Sequence, residues 1–253
     1  MIRTWFSAAL RTVRAPRRSR PPRSRAAPVT HALIALCCAL FVISPAAGLN
    51  PAYGTGEELL TAQRAHFHRW GVIPADLFAP LPGSWATPVT ALFVHGSWVH
   101  LLGNMLFLYV FGAMTEARLG GVRYLLFYLG CGALALLGYA ADNPGSEQSL
   151  VGASGAISAV LGAFLFLFPR ARVTSLLPFA FFLPLRFPAW VVLPFWAALQ
   201  WAAAGRAGDG PGVAYLAHLV GFGLGFLFAW VGPGRTTRVR SVPATAPEGE
   251  NQP

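Results

Sequence analysis

The 253 residues are 55% hydrophobic and only 11% charged, with a mean hydropathy of +0.53, against roughly a quarter charged residues in ordinary soluble domains. The 27 Gly and 21 Pro lie within long uncharged runs rich in Leu, Phe and Ala, so this composition excludes both a soluble globular enzyme and a disordered chain. All nineteen basic residues are Arg, and eight fall in the first 25 positions with no acidic neighbour, so the net charge of +10 is read as membrane orientation and not as nucleic-acid binding.

In chain order, residues 1–27 form an Arg-, Pro- and Ser-rich segment with little to bury, expected to be a disordered cytoplasmic tail. The uncharged stretch Ala26 to Gly56, with its apolar centre Ala32 to Ile43, reads as a first span. A cleaved signal peptide ending near Pro45, Ala46 and Ala47 is the rival, disfavoured by the long basic region before it. Asn50 to Ser97 is too polar and too broken by Gly and Pro to span; its Leu77, Phe78, Leu81 and Trp85 predict a large loop lying partly in the membrane interface. Four clear spans follow, Trp98 to Ala117, Val122 to Ala141, Val151 to Phe168 and Gly212 to Val231. The stretch Val173 to Trp201, interrupted by Pro178, Pro184, Pro188 and Pro194, is ambiguous.

The Arg residues resolve it. With Ala189 to Ala204 as the fifth of six helices, sixteen Arg lie inside, the eight of the tail plus Arg118, Arg123, Arg170, Arg172, Arg186, Arg235, Arg238 and Arg240, and only Arg64, Arg69 and Arg206 lie outside. A further span at Val173 to Leu185 would invert the last helix against the positive-inside rule, so that piece is expected to lie at the cytoplasmic interface. The fold class is therefore an all-α polytopic membrane protein, a six-helix domain over residues 28–232 with a large interfacial first loop, and residues 233–253 form a second disordered cytoplasmic tail. Cys37, Cys38 and Cys131 fall inside apolar runs without metal-ligand spacing, and no disulfide framework is implied.

Polar side chains inside apolar helices are costly and need a reason. The uncharged polar set is His100, Asn104, Ser154, Ser158 and His218; taken singly, each has an ordinary structural explanation. Their depth argues otherwise, because at ~1.5 Å per residue His100, Asn104, Ser154 and His218 all fall within roughly 10 Å of the outer ends of three different helices. Ser154, Ser158 and Gly162 recur at i, i+4 and i+8; Ala214, His218, Gly221 and Gly225 recur at i, i+4, i+7 and i+11. Small-residue stripes of this kind let helices approach closely, and if these two face each other, Ser154 meets His218.

A hydroxyl and an imidazole at one depth are the minimum for nucleophilic catalysis. The outer carboxylates Asp142, Glu147 and Asp209 lie in loops and Glu116 sits at the inner end of its helix, so a Ser154–His218 dyad is expected, not a triad. His100, Asn104 and the Ser154 backbone N–H are candidate oxyanion donors, and Gly152 and Gly155 would let backbone approach a substrate carbonyl.

These residues resemble the rhomboid intramembrane serine proteases. The run from His95 through His100 to Asn104, continued by Glu116 to Gly120, is similar to that family's second-helix signature; Gly152-Ala-Ser154-Gly155 to its nucleophile motif; and Ala217-His218 with Gly221 and Gly225 to its sixth-helix motif. The resemblance, covering roughly Pro28 to Val231, implies cleavage of transmembrane protein substrates within the lipid bilayer by Ser154 as nucleophile and His218 as general base and acid. It also implies His100 and Asn104 as oxyanion donors, a first loop in the outer leaflet, a fifth helix that moves laterally to admit substrate, and no cofactor. His95 belongs to the motif and either orients the site or packs the loop, packing being the favoured reading. A bacterial inner membrane with both termini cytoplasmic is the expected location. Two departures stand out: Trp85 is followed by Ala86 where many members carry Arg, and Ser158 stands where many place an aromatic on the catalytic His.

The rival readings are a metalloenzyme using His95, His100 and His218 or the His66-Phe-His68 pair, a catalytically inactive rhomboid-like protein binding membrane clients, and a transporter. The first lacks a His-Glu-x-x-His motif, the second is disfavoured by the presence of both dyad residues, and the third lacks intramembrane charge and an inverted repeat. Oligomeric state is not legible in the sequence.

Overall fold

The computed structural model describes residues 27–79, 82–177, 183–204 and 214–232. The two predicted tails therefore lie outside the described residues except for Ala27, which is buried, and so does the Arg206 to Pro211 loop.

Helix α1 (Pro28–Ile43) starts with proline in its first turn, where a missing N–H costs nothing, and its first residues carry no capping side chain of their own. The cap comes from elsewhere in the chain. Glu116, itself only 3% exposed, accepts hydrogen bonds from Val29 N–H (3.0 Å), Thr30 N–H (2.7 Å) and Thr30 Oγ1 (2.7 Å). A carboxylate at a helix N-terminus satisfies orphan donors and complements the helix dipole.

The first loop holds α2 (Glu57–Trp70), with no buried residue, then α3 (Pro74–Phe78) and α4 (Thr87–Thr90), linked by short 3₁₀ turns. It is stitched to the segment ahead of Ser154. Val72 and Leu150 exchange both backbone hydrogen bonds (2.9 and 2.7 Å), Ala75 N–H donates to Ser146 O (3.0 Å), and Gly152 N–H donates to Ala91 O (2.9 Å).

Helix α5 (Trp98–Phe107) is N-capped by Ser97, whose hydroxyl accepts from His100 N–H, and it continues through a π turn (Leu108–Gly112) into α6 (Ala113–Leu119). This 22-residue helix and α7 (Gly121–Asp142) are each long and apolar enough to cross a membrane. Four more apolar helices are shorter: α1, α8 (Ser154–Leu167), α9 (Ala189–Ala204) and α10 (Tyr215–Val231), at 14 to 17 residues. At ~1.5 Å per residue these reach about 21 to 26 Å. The six predicted spans thus coincide with six apolar helices, but two of them have full span length. Large apolar side chains point outward from these helices, among them Val99, Leu102, Tyr109, Val122, Leu126, Phe195 and Val231.

Helix α8 is the centre of the bundle, with every residue from Gly155 to Phe164 buried. It packs most closely on α10. A Cβ on Gly221 would meet the Gly155 carbonyl and one on Gly225 the Ala159 carbonyl, so the two backbones touch where any side chain would force them apart.

The all-α expectation needs one correction. Residues Arg172–Leu177 (β1) and Leu183–Pro188 (β2) pair antiparallel, with Thr174 opposite Arg186. Proline in a helix interior costs a hydrogen bond and disrupts the turn, as at Pro194 within α9, but it is tolerated on edge strands, and a two-stranded ribbon has only edges. Pro184 and Pro188 lie in β2, where they are compatible with strand, while Pro178 lies outside the described residues. Two helix starts also differ from expectation: α8 begins at Ser154, not near Val151, and α10 at Tyr215, not near Gly212.

Candidate active site

Ser154 is the first residue of α8 and His218 the fourth of α10. The glycine contact between these helices brings them together: His218 Nε2 lies 2.8 Å from Ser154 Oγ. His218 is 8% exposed, so the contact is shielded from bulk solvent. Ser158, one turn along, returns its hydroxyl to the Ser154 carbonyl (2.7 Å) and so takes no part in holding the imidazole.

Helix α9 supplies further contacts to that ring. Gln200 Oε1 lies 2.7 Å from His218 Nδ1, and the Trp196 ring lies 6.2 Å from the imidazole centroid at an interplanar angle of 31°. Tyr215 adds an edge-on contact at 6.3 Å from within α10. Sequence reasoning missed Gln200 and Trp196. The available signal was a carboxamide within the apolar run Ala189 to Ala204, a polar group as costly in a membrane as those that were singled out.

On the other flank, Gly152, His100 and Asn104 converge. Gly152 adopts φ +123°, and a Cβ there would lie 2.7 Å from His100 Cε1 and Nε2 and 3.7 Å from Asn104 Nδ2. Only glycine fits the backbone conformation and the space. His100 Nδ1 accepts from Gly96 N–H (3.3 Å), which leaves the ring proton on Nε2, the nitrogen beside Gly152. Asn104 is 8% exposed, and its Nδ2 is a buried donor with no hydrogen-bond partner among the described residues. Ser154 N–H, in the first turn of α8, has no intrahelical acceptor. Donors without acceptors, next to a hydroxyl that is paired with an imidazole, are what a developing oxyanion would require.

His95 is buried and packs edge-on against His100, ring centroids 5.3 Å apart. Burial, reinforced by His100 and opposed in part by the Phe93 backbone, pushes its imidazole down to about 4. It is therefore neutral at physiological pH. Glu116, the acidic residue of the second-helix motif, is engaged with α1 and not with His218. Among the described residues no group of three or more His, Cys, Asp and Glu is placed to hold a metal ion. His68 lies 3.6 Å from Asp76, while His66 lines a separate cavity of about 390 Å³ between α1 and the first loop, to which neither Ser154 nor His218 contributes.

The Rhomboid domain family matches residues 82–235, more than half of the chain. Rhomboid protein 1, mitochondrial, of Saccharomyces cerevisiae is 34% identical over 151 residues, 56% of this chain and 40% of that protein. The provisionally named rhomboid protease YdcA of Bacillus subtilis is 35% identical over 85 residues, 34% of this chain and 42% of its own length. Rhomboid-like protein 11, chloroplastic, of Arabidopsis thaliana is 42% identical over 74 residues, 29% of this chain and 26% of that protein. The chain thus spans less than half the length of these relatives.

Proposed function

Because the chain belongs to the rhomboid family of integral membrane proteins, we propose that it is an intramembrane serine endopeptidase that cleaves transmembrane segments of protein substrates with a Ser154–His218 dyad. The observation that carries this reading is the 2.8 Å contact between Ser154 Oγ and His218 Nε2, beside donors with no acceptor.

In the proposed reaction, His218 Nε2 takes the Ser154 proton as Oγ attacks the scissile carbonyl. The tetrahedral oxyanion is held by His100 Nε2–H, Asn104 Nδ2–H and Ser154 N–H, a preorganised set that needs no rearrangement. The imidazolium then protonates the leaving amine, and the C–N bond breaks to leave an acyl-Ser154. Water, deprotonated by His218, attacks the ester; collapse releases the new carboxyl terminus and returns the proton to Oγ. His95 acts as packing against His100.

All six apolar helices cross the bilayer in this reading, the shorter four with their ends in the interface. The sixteen-to-three distribution of Arg puts both termini in the cytoplasm and the dyad in the opposite leaflet, under the first loop.

The test is proteolysis of a panel of transmembrane substrates in proteoliposomes. Ser154→Ala and His218→Ala are each expected to abolish cleavage while the protein remains folded, and the double variant to lose no more, since the pair acts as a unit. Near-wild-type turnover by either single variant would overturn the dyad. A wild type that binds these substrates without cleaving any would favour an inactive client-binding protein.

A further inference from the structure

We propose that Gln200 and Trp196 of α9 are the positioning residues for His218, performing from the fifth helix a task that Ser158 on α8 cannot. The inference rests on the dyad reading above.

A neutral imidazole carries one proton on either of two nitrogens, and the choice decides whether the dyad works. With the proton on Nε2, the ring has no lone pair facing Ser154 Oγ and cannot accept its proton. With the proton on Nδ1, Nε2 is the base. No carboxylate contacts His218 among the described residues; Asp142 is the last residue of α7, Glu147 lies on the connection between α7 and α8, Glu116 is bound to α1, and Asp209 lies outside the described residues. The imidazole's hydrogen-bond partners among the described residues are Gln200 Oε1, 2.7 Å from Nδ1, and Ser154 Oγ. A carboxamide oxygen only accepts, so Nδ1 is the donor there and Nε2 is left free to accept from the serine.

The ring also has to be held in plane. Trp196 is one turn before Gln200 on the same face of α9, and its indole covers one side of the imidazole, tilted by 31° with centroids 6.2 Å apart. Trp196 further packs on Phe222, one turn after His218 in α10, with centroids 5.9 Å apart. Two residues at i and i+4 on one helix thus fix the hydrogen bond and the plane of the ring, and Ser158, whose hydroxyl is spent on the Ser154 carbonyl, does neither. Unlike a carboxylate, the carboxamide adds no charge to the apolar interior, where an unpaired anion is costly.

The test uses the full-length protein in detergent, with histidine labelled in its ring nitrogens. Wild type is expected to show His218 with a pyrrole-type Nδ1 and a pyridine-type Nε2, the signal assigned by its loss in His218→Ala. Gln200→Leu removes the acceptor and is expected to shift His218 toward the other tautomer and to lower kcat by about tenfold or more, with KM little changed. Gln200→Glu keeps an acceptor oxygen and is expected to restore the wild-type tautomer and most of kcat. Gln200→Met replaces Gln200→Leu if the latter does not fold. Wild-type kcat in either apolar variant, an unchanged tautomer, or failure of Gln200→Glu to restore what Gln200→Leu loses would overturn the inference. If instead Ser154→Ala or His218→Ala retains cleavage, the dyad reading fails before this one is reached.

Discussion

Asn104→Leu separates a catalytic role from a structural one because the two predict changes of opposite sign. In the resting structure the Asn104 Nδ2 donor is buried without a partner. An unsatisfied buried donor costs about 1 to 3 kcal/mol, and an apolar side chain of similar shape removes that cost. The variant is therefore expected to unfold at the same temperature as the wild type or higher. If the donor is held for the oxyanion, its removal raises the barrier by ~2.7 to 4 kcal/mol, a loss of about 10² to 10³ in kcat. The interaction forms only in the transition state, so kcat and kcat/KM should fall together while KM stays near its wild-type value. Cleavage of a fluorogenic transmembrane peptide in proteoliposomes, with thermal unfolding followed on the same preparation, reads both quantities. Unchanged kcat, or a kcat loss matched by a lower unfolding temperature, would refute the reasoning and return Asn104 to a packing role.

Gly225→Ala places a Cβ against the Ala159 backbone and should cost about 1 to 3 kcal/mol of stability while lowering kcat, because parting α8 from α10 also parts Ser154 from His218; unchanged thermal unfolding would show that the helices tolerate separation. Glu116→Ala leaves the Val29 and Thr30 donors without their acceptor and should lower stability by at least ~2 kcal/mol, with the kcat of the folded fraction retained because the dyad lies at the opposite end of the bundle; selective loss of kcat without loss of stability would contradict this. Since the His95 imidazole is pushed down to about 4 by burial, the unfolded chain takes up this proton first, so stability is lost as pH falls from about 6.5 toward 4. His95→Leu should flatten that part of the stability profile, and an identical slope in the variant would count against it.

The sequence carried the depth argument well because it depends on counting: helical rise alone put His100, Asn104, Ser154 and His218 in one layer, and the stripe spacing put Gly221 and Gly225 where α10 meets α8. What the pattern did not carry were features set by tertiary neighbours. The β1–β2 ribbon lies where prolines disfavour helix without specifying strand, and no local periodicity reports a cross-strand partner such as Arg186 for Thr174. The π turn at Leu108–Gly112 has no proline or glycine pair at its start to announce it. Gln200 was legible as an oddity in an apolar run, but its partner lies 18 residues away on another helix, across a connection whose course the sequence does not dictate.

The bond between Thr30 and Glu116 also has a history in time. The two residues are 86 positions apart, and a ribosome adding ~5 to 20 residues per second takes about 4 to 17 s to cover that distance. Throughout that interval the start of α1 exists without its acceptor. Its Val29 and Thr30 N–H groups must then be hydrated, which holds that end of the nascent helix at the water boundary until α6 arrives. The delayed bond makes α1, the first of the described apolar helices to be synthesised, one of the later ones to be secured, so that the bundle is fastened at the α1–α6 contact after the segment between them has emerged.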